Sequence, residues 1–160
     1  MIDTREPEIL RFALATALDE AKITTIHHVL PAGDYRLHPR EGCCLLVERK
    51  EQSDLSSSII NGRLFTQMDK LLAFKRDSDG GEVMLILLVE GPPFPKRGRV
   101  RSGGSPGVHP NSLRGTLLSL QRRGIFVLYS EGTSDTIQTI LWLYRRFRHE
   151  DERKRDGNTN

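Results

Sequence analysis

Cysteine is almost absent from this chain, and the two present, Cys43 and Cys44, are neighbours inside an apolar run. Adjacent side chains of a strand face opposite ways, so the pair supports neither a disulfide framework nor a zinc site. Long apolar segments are missing too: nothing approaches the ~18 consecutive residues of a membrane span. The start, Met1-Ile2-Asp3-Thr4-Arg5-Glu6, lacks the basic-then-apolar layout of a secretory signal. A soluble, intracellular protein with no membrane partner is expected. At 160 residues and 37% hydrophobic content, one domain can bury its core without metal or disulfide staples.

Acidic residues are missing from one stretch. Residues 91–124 hold seven Lys/Arg and no Asp or Glu, against 11 Lys/Arg and 15 Asp/Glu in residues 1–90 and six of each in 125–160. The surplus lies in Lys96, Arg97, Arg99, Arg101, Arg114, Arg122 and Arg123. The first four fall in 91–110, a Pro/Gly/Ser-rich stretch without apolar periodicity that reads as a long mobile loop. Such a loop either tracks phosphates by releasing their counterions or is simply a solvated surface loop.

Apolar positions Ile9, Leu10, Ala13, Leu14 and Leu18 predict an amphipathic helix over 6–21, with Pro7 in its first turn. The β-branched stretch 24–29 predicts a strand. Residues 34–37 and 43–50 predict an antiparallel hairpin joined through Pro39-Arg40-Glu41-Gly42. A helical pattern through Leu55, Ile59 and Ile60 breaks at Asn61-Gly62 and resumes with Leu64, Phe65, Met68, Leu71, Leu72 and Phe74. Val-Met-Leu-Ile-Leu-Leu-Val at 83–89 predicts a central strand covered on both faces and ended by Glu90. A helix over 110–123, a strand over 125–129 and a helix over 133–147 follow, the last with Ile137, Ile140, Leu141 and Tyr144 on one stripe. Residues 149–160 are polar and charged, a disordered tail in expectation. The order gives one α/β domain over 1–148, a central mixed β-sheet flanked by helices, with no internal repeat.

One pattern carries chemistry: Gly33-Asp34, then Glu48-Arg49-Lys50, then Asp54, or GD…ERKxxxD. If the strand at 43–47 continues to Lys50, Glu48 and Lys50 share one face and Arg49 takes the other. Phosphodiester hydrolysis must align water with the leaving oxygen and offset charge gathering on the phosphoryl group, and a carboxylate-held Mg²⁺ or Mn²⁺ serves both ends. Asp34 and Glu48 are the candidate ligands. Lys50 is the candidate for orienting water and stabilising charge, as a base or as an electrostatic clamp. Taken singly, a Gly-Asp turn or a Glu-x-Lys pair is commonplace; the combination is specific.

These residues resemble the nuclease domain of the XPF-type structure-specific endonucleases, within the PD-(D/E)XK restriction-endonuclease-like superfamily. The likeness starts at Asp3-Thr4-Arg5-Glu6, similar to a D-x-R-E segment, and runs through Gly33-Asp34-Tyr35 and Val47-Glu48-Arg49-Lys50. It continues through Asp54-Leu55 and 61–67 to the apolar strand before Glu90. It implies a restriction-endonuclease-like fold, divalent metal on Asp34 and Glu48, and a catalytic Lys50. Asp3 and Asp54 would lie at or just behind the metal. Asp3 would hold a metal-bound water, whereas Asp54 would bind metal, pair with Arg49 or Lys50, or cap the next helix. Arg5 and Glu6 would form an ion pair near the site or act directly. Arg63 and Gln67, four apart on a helix face, would contact the DNA backbone.

The family commonly carries a helix-hairpin-helix module after this domain, and this sequence ends soon after Phe147, so a standalone domain is expected. Substrate choice would then rest on the basic loop, on a targeting partner protein, or on a homodimer or heterodimer through 125–147. Trp142, Tyr144 and Phe147 would either line that interface or close this domain's own core. The implied activity is metal-dependent cleavage of branched, flapped or forked DNA in repair, recombination or replication-fork processing. The alternatives are a restriction-like or phage-type nuclease on plain duplex or single strands, and a non-catalytic DNA-binding subunit of a heterodimer. Retention of Asp34, Glu48 and Lys50 weighs against the last.

Overall fold

The computed structural model describes residues 1–78, 81–92 and 108–149. Its elements run β1 (Ile2–Asp3), α1 (Glu8–Glu20), β2 (His27–His28), β3 (Tyr35–Arg40), β4 (Cys43–Glu51), α2 (Gln52–Ile60), α3 (Arg63–Arg76), β5 (Glu82–Glu90), α4 (Pro110–Arg122), β6 (Ile125–Ser130) and α5 (Thr133–Arg148). The strands form one mixed sheet in the order β2-β1-β3-β4-β5-β6. β3 and β4 are an antiparallel hairpin, and β4, β5 and β6 run parallel. No helix among the described residues is long and apolar enough to cross a membrane. Lys96, Arg97, Arg99 and Arg101 and the tail at 150–160 lie outside the described residues.

Alternation along the two central strands sorts side chains between two cores. Leu45 and Val47 of β4, with Ile86 and Leu88 of β5, meet Leu10, Leu14 and Leu18 of α1 and Ile137, Ile140 and Leu141 of α5. Cys44, Leu46, Leu85, Leu87 and Val89 meet Leu55 of α2, Leu64, Met68 and Leu71 of α3 and Leu113, Leu117 and Leu120 of α4. Cys43 and Cys44 are both buried and free, and they fall in opposite cores, as alternation requires. The apolar run of β5 is covered on both faces, hence its lack of polar alternation.

Several local expectations shift. The strand expected over 24–29 is reduced to His27–His28, because only those residues pair with the equally short β1. In α1 the buried stripe is Leu10, Leu14 and Leu18, while Ile9 and Ala13 face outward. Pro39 and Arg40 belong to β3, so the hairpin turns more tightly, at Glu41-Gly42. Tyr144 and Phe147 pack against the α1/α5 core, leaving Trp142 as the exposed aromatic of that helix.

Gly33 fixes where the chain enters β3. Its φ is +72°, and a Cβ there would lie 3.0 Å from the Val47 carbonyl oxygen and 3.1 Å from Leu46 Cδ1. Gly62, between α2 and α3, has φ +75° with nothing within 4 Å of the added carbon. Gly62→Ala should therefore cost only the left-handed backbone, about 1 kcal/mol. Gly33→Ala adds a clash with β4 and should cost more, about 2–3 kcal/mol. Urea unfolding of the two variants checks the order, and equal midpoints would refute the steric role of Gly33.

Candidate active site

Strand β4 delivers three charged residues where its apolar run ends, and the pleat divides them as the sequence predicts. Glu48 is 5% exposed, and its Oε1 accepts from Lys50 Nζ at 3.2 Å and from Gln67 Nε2 at 2.5 Å. Both donors grip one oxygen; among the described residues none reaches Oε2. Burial raises the Glu48 pKa, against the opposing charge and hydrogen bond of Lys50. Gln67 projects from α3, so the helix after Asn61-Gly62 supplies part of the site.

Asp34 sits at the start of β3 and is tied to both neighbours of Glu48. Its N–H donates to the Val47 carbonyl at 2.8 Å, and its Oδ2 accepts from the Arg49 N–H at 2.7 Å. Its other oxygen, like that of Glu48, accepts nothing from the described residues. Burial pushes the carboxyl up to about 8, reinforced by the charges of Glu48 and Glu6 and only partly offset by the Arg49 amide and Lys50. Two carboxylates thus lie close and mostly out of water, each with one oxygen held and one open.

Arg49 points through the sheet to the opposite face. Its Nε donates to Glu90 Oε2 at 2.9 Å, Nη2 lies 3.1 Å from Glu51, and Nη1 lies 3.8 Å from Glu6. Glu90 also accepts from Thr133 at 2.9 Å and Thr136 at 2.7 Å at the start of α5, while the Tyr35 hydroxyl donates to Glu6. Burial alone would lower the Arg49 pKa, but the Glu90 hydrogen bond and charge raise it above normal. Burial likewise favours a neutral Glu90, yet Arg49 and the two threonines hold its pKa below the ordinary value. Arg49, expected among the catalytic residues, has its guanidinium among Glu90, Glu51 and Glu6 rather than beside Glu48 and Lys50. Arg5 and Glu6 do not pair with each other: Arg5 pairs with Asp3, and Glu6 with Arg49 and Tyr35. Glu90, Thr133 and Thr136 had no assigned place in the site. An acid directly after a buried apolar run was the available signal for Glu90.

Asp3 stands behind the site with its carboxylate fully engaged. Oδ1 accepts from the Arg5 N–H at 2.7 Å and Arg5 Nε at 2.9 Å; Oδ2 accepts from Arg5 Nη2 at 2.6 Å and the Leu30 N–H at 2.8 Å. The Arg5 hydrogen bonds hold its pKa down to about 2. The Asp3 N–H donates to the Asp34 carbonyl at 2.8 Å, so Asp3 positions the loop that carries Asp34. Asp54 lies exposed in the first turn of α2 and pairs with neither Arg49 nor Lys50. The N-cap of α2 is Glu51, so Asp54 is not the cap. Arg63 opens α3 with its side chain exposed, one turn before Gln67.

The donor set fits a hard divalent cation such as Mg²⁺ or Mn²⁺: two mostly buried carboxyl groups with raised pKa values, each with one open oxygen. Among the described residues no group of three or more His, Cys, Asp or Glu is arranged to hold a metal ion. Asp34, Glu48 and Asp54 are therefore not a ready-made triad. Remaining positions would fall to water and substrate oxygens, the usual arrangement for Mg²⁺.

The raised Asp34 pKa makes a signed prediction. The folded state keeps a proton that the unfolded chain, with an Asp pKa near ~3.9, releases. Its contribution to stability is complete below that value and is lost as pH rises towards about 8. In EDTA, wild-type Tm should fall relative to Asp34→Asn between about pH 5 and 8, and Mg²⁺ should raise wild-type Tm more at pH 8 than at pH 6. Parallel pH profiles for the two proteins would rule out a raised Asp34 pKa.

The chain matches known proteins over most of its length. The ERCC4 domain matches residues 2–143. XPF from Aeropyrum pernix is 30% identical with a TM-score of 0.63, over 96% of this chain and 67% of that one. Its complex with DNA gives a TM-score of 0.64 at 30% identity, over 90% of this chain and 62% of that one. A Methanocaldococcus jannaschii protein provisionally named an ATP-dependent RNA helicase is 28% identical over 142 residues, 88% of this chain. The match spans only 14% of that protein's length. The chain belongs to the ERCC4 domain family, and its mixed six-stranded sheet with flanking helices is the fold of the XPF nuclease domain.

Proposed function

We propose that this chain is a Mg²⁺- or Mn²⁺-dependent DNA endonuclease that cuts branched, flapped or forked DNA in repair, recombination or replication-fork processing. The observation that carries the reading is the pair Asp34 and Glu48, each with one oxygen pinned and one open, with Lys50 on the same face. Kinship with an XPF solved in complex with DNA supports DNA as the substrate. Among the described residues no base-reading element is evident, which fits recognition of backbone and shape.

Asp34 and Glu48 would hold the metal, which when bound acidifies a water and offsets charge on the phosphoryl oxygens. Gln67 and Lys50 both hold Oε1 of Glu48, and its second oxygen has no hydrogen-bond partner among the described residues. Lys50, held 3.2 Å from Glu48, keeps an ammonium where negative charge grows on the phosphoryl group, and orients the attacking water. Asp54 would act from farther out, through water. Arg63 is free to clamp a backbone phosphate one helical turn from Gln67. Phe126, Tyr129 and Trp142, exposed on β6 and α5, give the proposed dimer surface over 125–147 its apolar anchors.

Cleavage of end-labelled flap, fork, duplex and single-stranded DNAs with Mg²⁺ or Mn²⁺ tests the activity. Asp34→Asn and Lys50→Ala should each lower kcat by at least ~10²-fold. Metal-independent cutting, or cutting that survives both substitutions, refutes the site; equal cutting of linear and branched DNA removes the structural preference alone. The basic stretch has its own check. Neutralising Lys96, Arg97, Arg99 and Arg101 together should weaken binding and reduce the slope of log K against log salt by roughly 3–4 on duplex DNA. An unchanged slope would make that stretch a solvated surface.

A further inference from the structure

Beyond Arg63 and Gln67, helix α3 and its C-cap carry Lys70, Phe74 and Asp77, which have no part in the catalytic pair. Arg63, Gln67, Lys70, Phe74 and Asp77 recur at helical spacing and form one stripe, next to the buried stripe of Leu64, Met68 and Leu71. Gln67, on this stripe, holds Glu48. From Gln67 the helix rises about 4.5 Å to Lys70 and about 10 Å to Phe74, the scale of one or two nucleotide steps.

A cavity of about 490 Å³ opens along that part of α3, walled by Pro31 and Ala32, by Arg36 of β3, and by Lys70, Ala73, Phe74, Asp77 and Ser78. Pro31 and Ala32 lie just before Gly33-Asp34, so the cavity adjoins the loop that carries a candidate metal ligand. Its two cations are not consumed by ion pairs. Arg36 stacks over the Phe74 ring at 4.6 Å and also touches the Cys44 thiol, and its Nε is a buried nitrogen with no hydrogen-bond partner. Lys70 is exposed and makes no ion pair among the described residues. A guanidinium with an unmet donor, an unpaired ammonium and an apolar wall together suit a phosphate with its attached sugar. Asp77 closes the far end with a negative charge, which limits the cationic part to a single phosphate.

We propose that the cavity between Arg36 and α3 is a substrate subsite for the backbone phosphate one or two nucleotides from the bond cut at Asp34 and Glu48. The inference rests on the nuclease reading for its choice of ligand. Arg36 and Lys70 are binding residues here, and the strand runs along α3 from Arg63, past Gln67, into the cavity. The stacked Phe74 ring holds the guanidinium in place at low entropic cost.

Binding and cleavage separate this subsite from the activity itself. On single-stranded or flap DNA, Lys70→Met should raise Kd and KM about threefold to tenfold, leave kcat within about twofold, and lower the salt slope by about 0.7–0.9. Arg36→Met should act in the same direction; Lys70 is exposed, so the Lys70→Met result stands if the Arg36 variant unfolds. Replacing single phosphates with uncharged methylphosphonates should locate one position near the cut where wild type loses affinity and Lys70→Met loses nothing further. Wild-type KM, salt slope and interference pattern in Lys70→Met would overturn the subsite. Absence of cleavage with these binding shifts intact would instead remove the nuclease reading and leave the phosphate site standing.

Discussion

Two like charges held side by side, mostly out of water, set the terms for the rest of this domain. Burial makes both Asp34 and Glu48 resist ionisation, with the Glu48 and Glu6 charges adding at Asp34 and the Glu6 charge at Glu48, and both pKa values are displaced upward. The protein could have met that cost by supplying a close cation to each. Among the described residues, Lys50 alone makes an ion pair with either carboxylate, at one oxygen of Glu48. The stronger cation, Arg49, is turned to the opposite face and spent on Glu6 and Glu90. What remains at the candidate centre is a pair of carboxyl groups that give up their protons reluctantly, the condition under which a divalent cation competes better with the proton as pH rises.

Holding such a pair requires backbone rather than side-chain restraint. Asp34 is fastened to the amide before Glu48 and the one after it, so the two carboxylates cannot drift apart without breaking the β3/β4 ladder. Asp3 fastens the other side of Asp34 through its own N–H, with Arg5 and Leu30 satisfying its carboxylate. Gly33 allows the close approach. The Glu6–Arg49–Glu90 group then ties the same strand end to α5 through Thr133 and Thr136. Removing one member would leave a buried charge unpaired, a loss of about 3–5 kcal/mol in comparable sites.

Much of this was legible in the sequence where a local rule decided it. The alternation of Glu48, Arg49 and Lys50 follows from strand geometry, and the uninterrupted apolar β5 follows from burial on both faces. The Asn61-Gly62 break follows from the left-handed backbone at Gly62. What escaped was decided by partners distant along the chain. Ile9 and Ala13 satisfy the helical period as well as Leu10 does, and only the placement of α5 selects the buried face. Tyr144 and Phe147 look like interface aromatics until α1 is packed against them. The contacts of Arg49 with Glu6 and Glu90 were out of reach for the same reason, since both partners are more than 40 residues away in sequence.

The same distinction bears on how catalysis and substrate binding are separated. The groups that hold charge in place lie at the ends of β4 and β5, where paired strands on either side leave little freedom. Arg63 and Lys70, which make no ion pair among the described residues, stand on one stripe of α3. Only Gln67 belongs to both sets, since it sits on the helix stripe and donates to Glu48. A phosphate backbone laid along α3 would therefore meet the candidate ligand Glu48 through the residue that already orients it. Changes in how the helix is loaded would reach the site through one amide hydrogen bond rather than through the sheet.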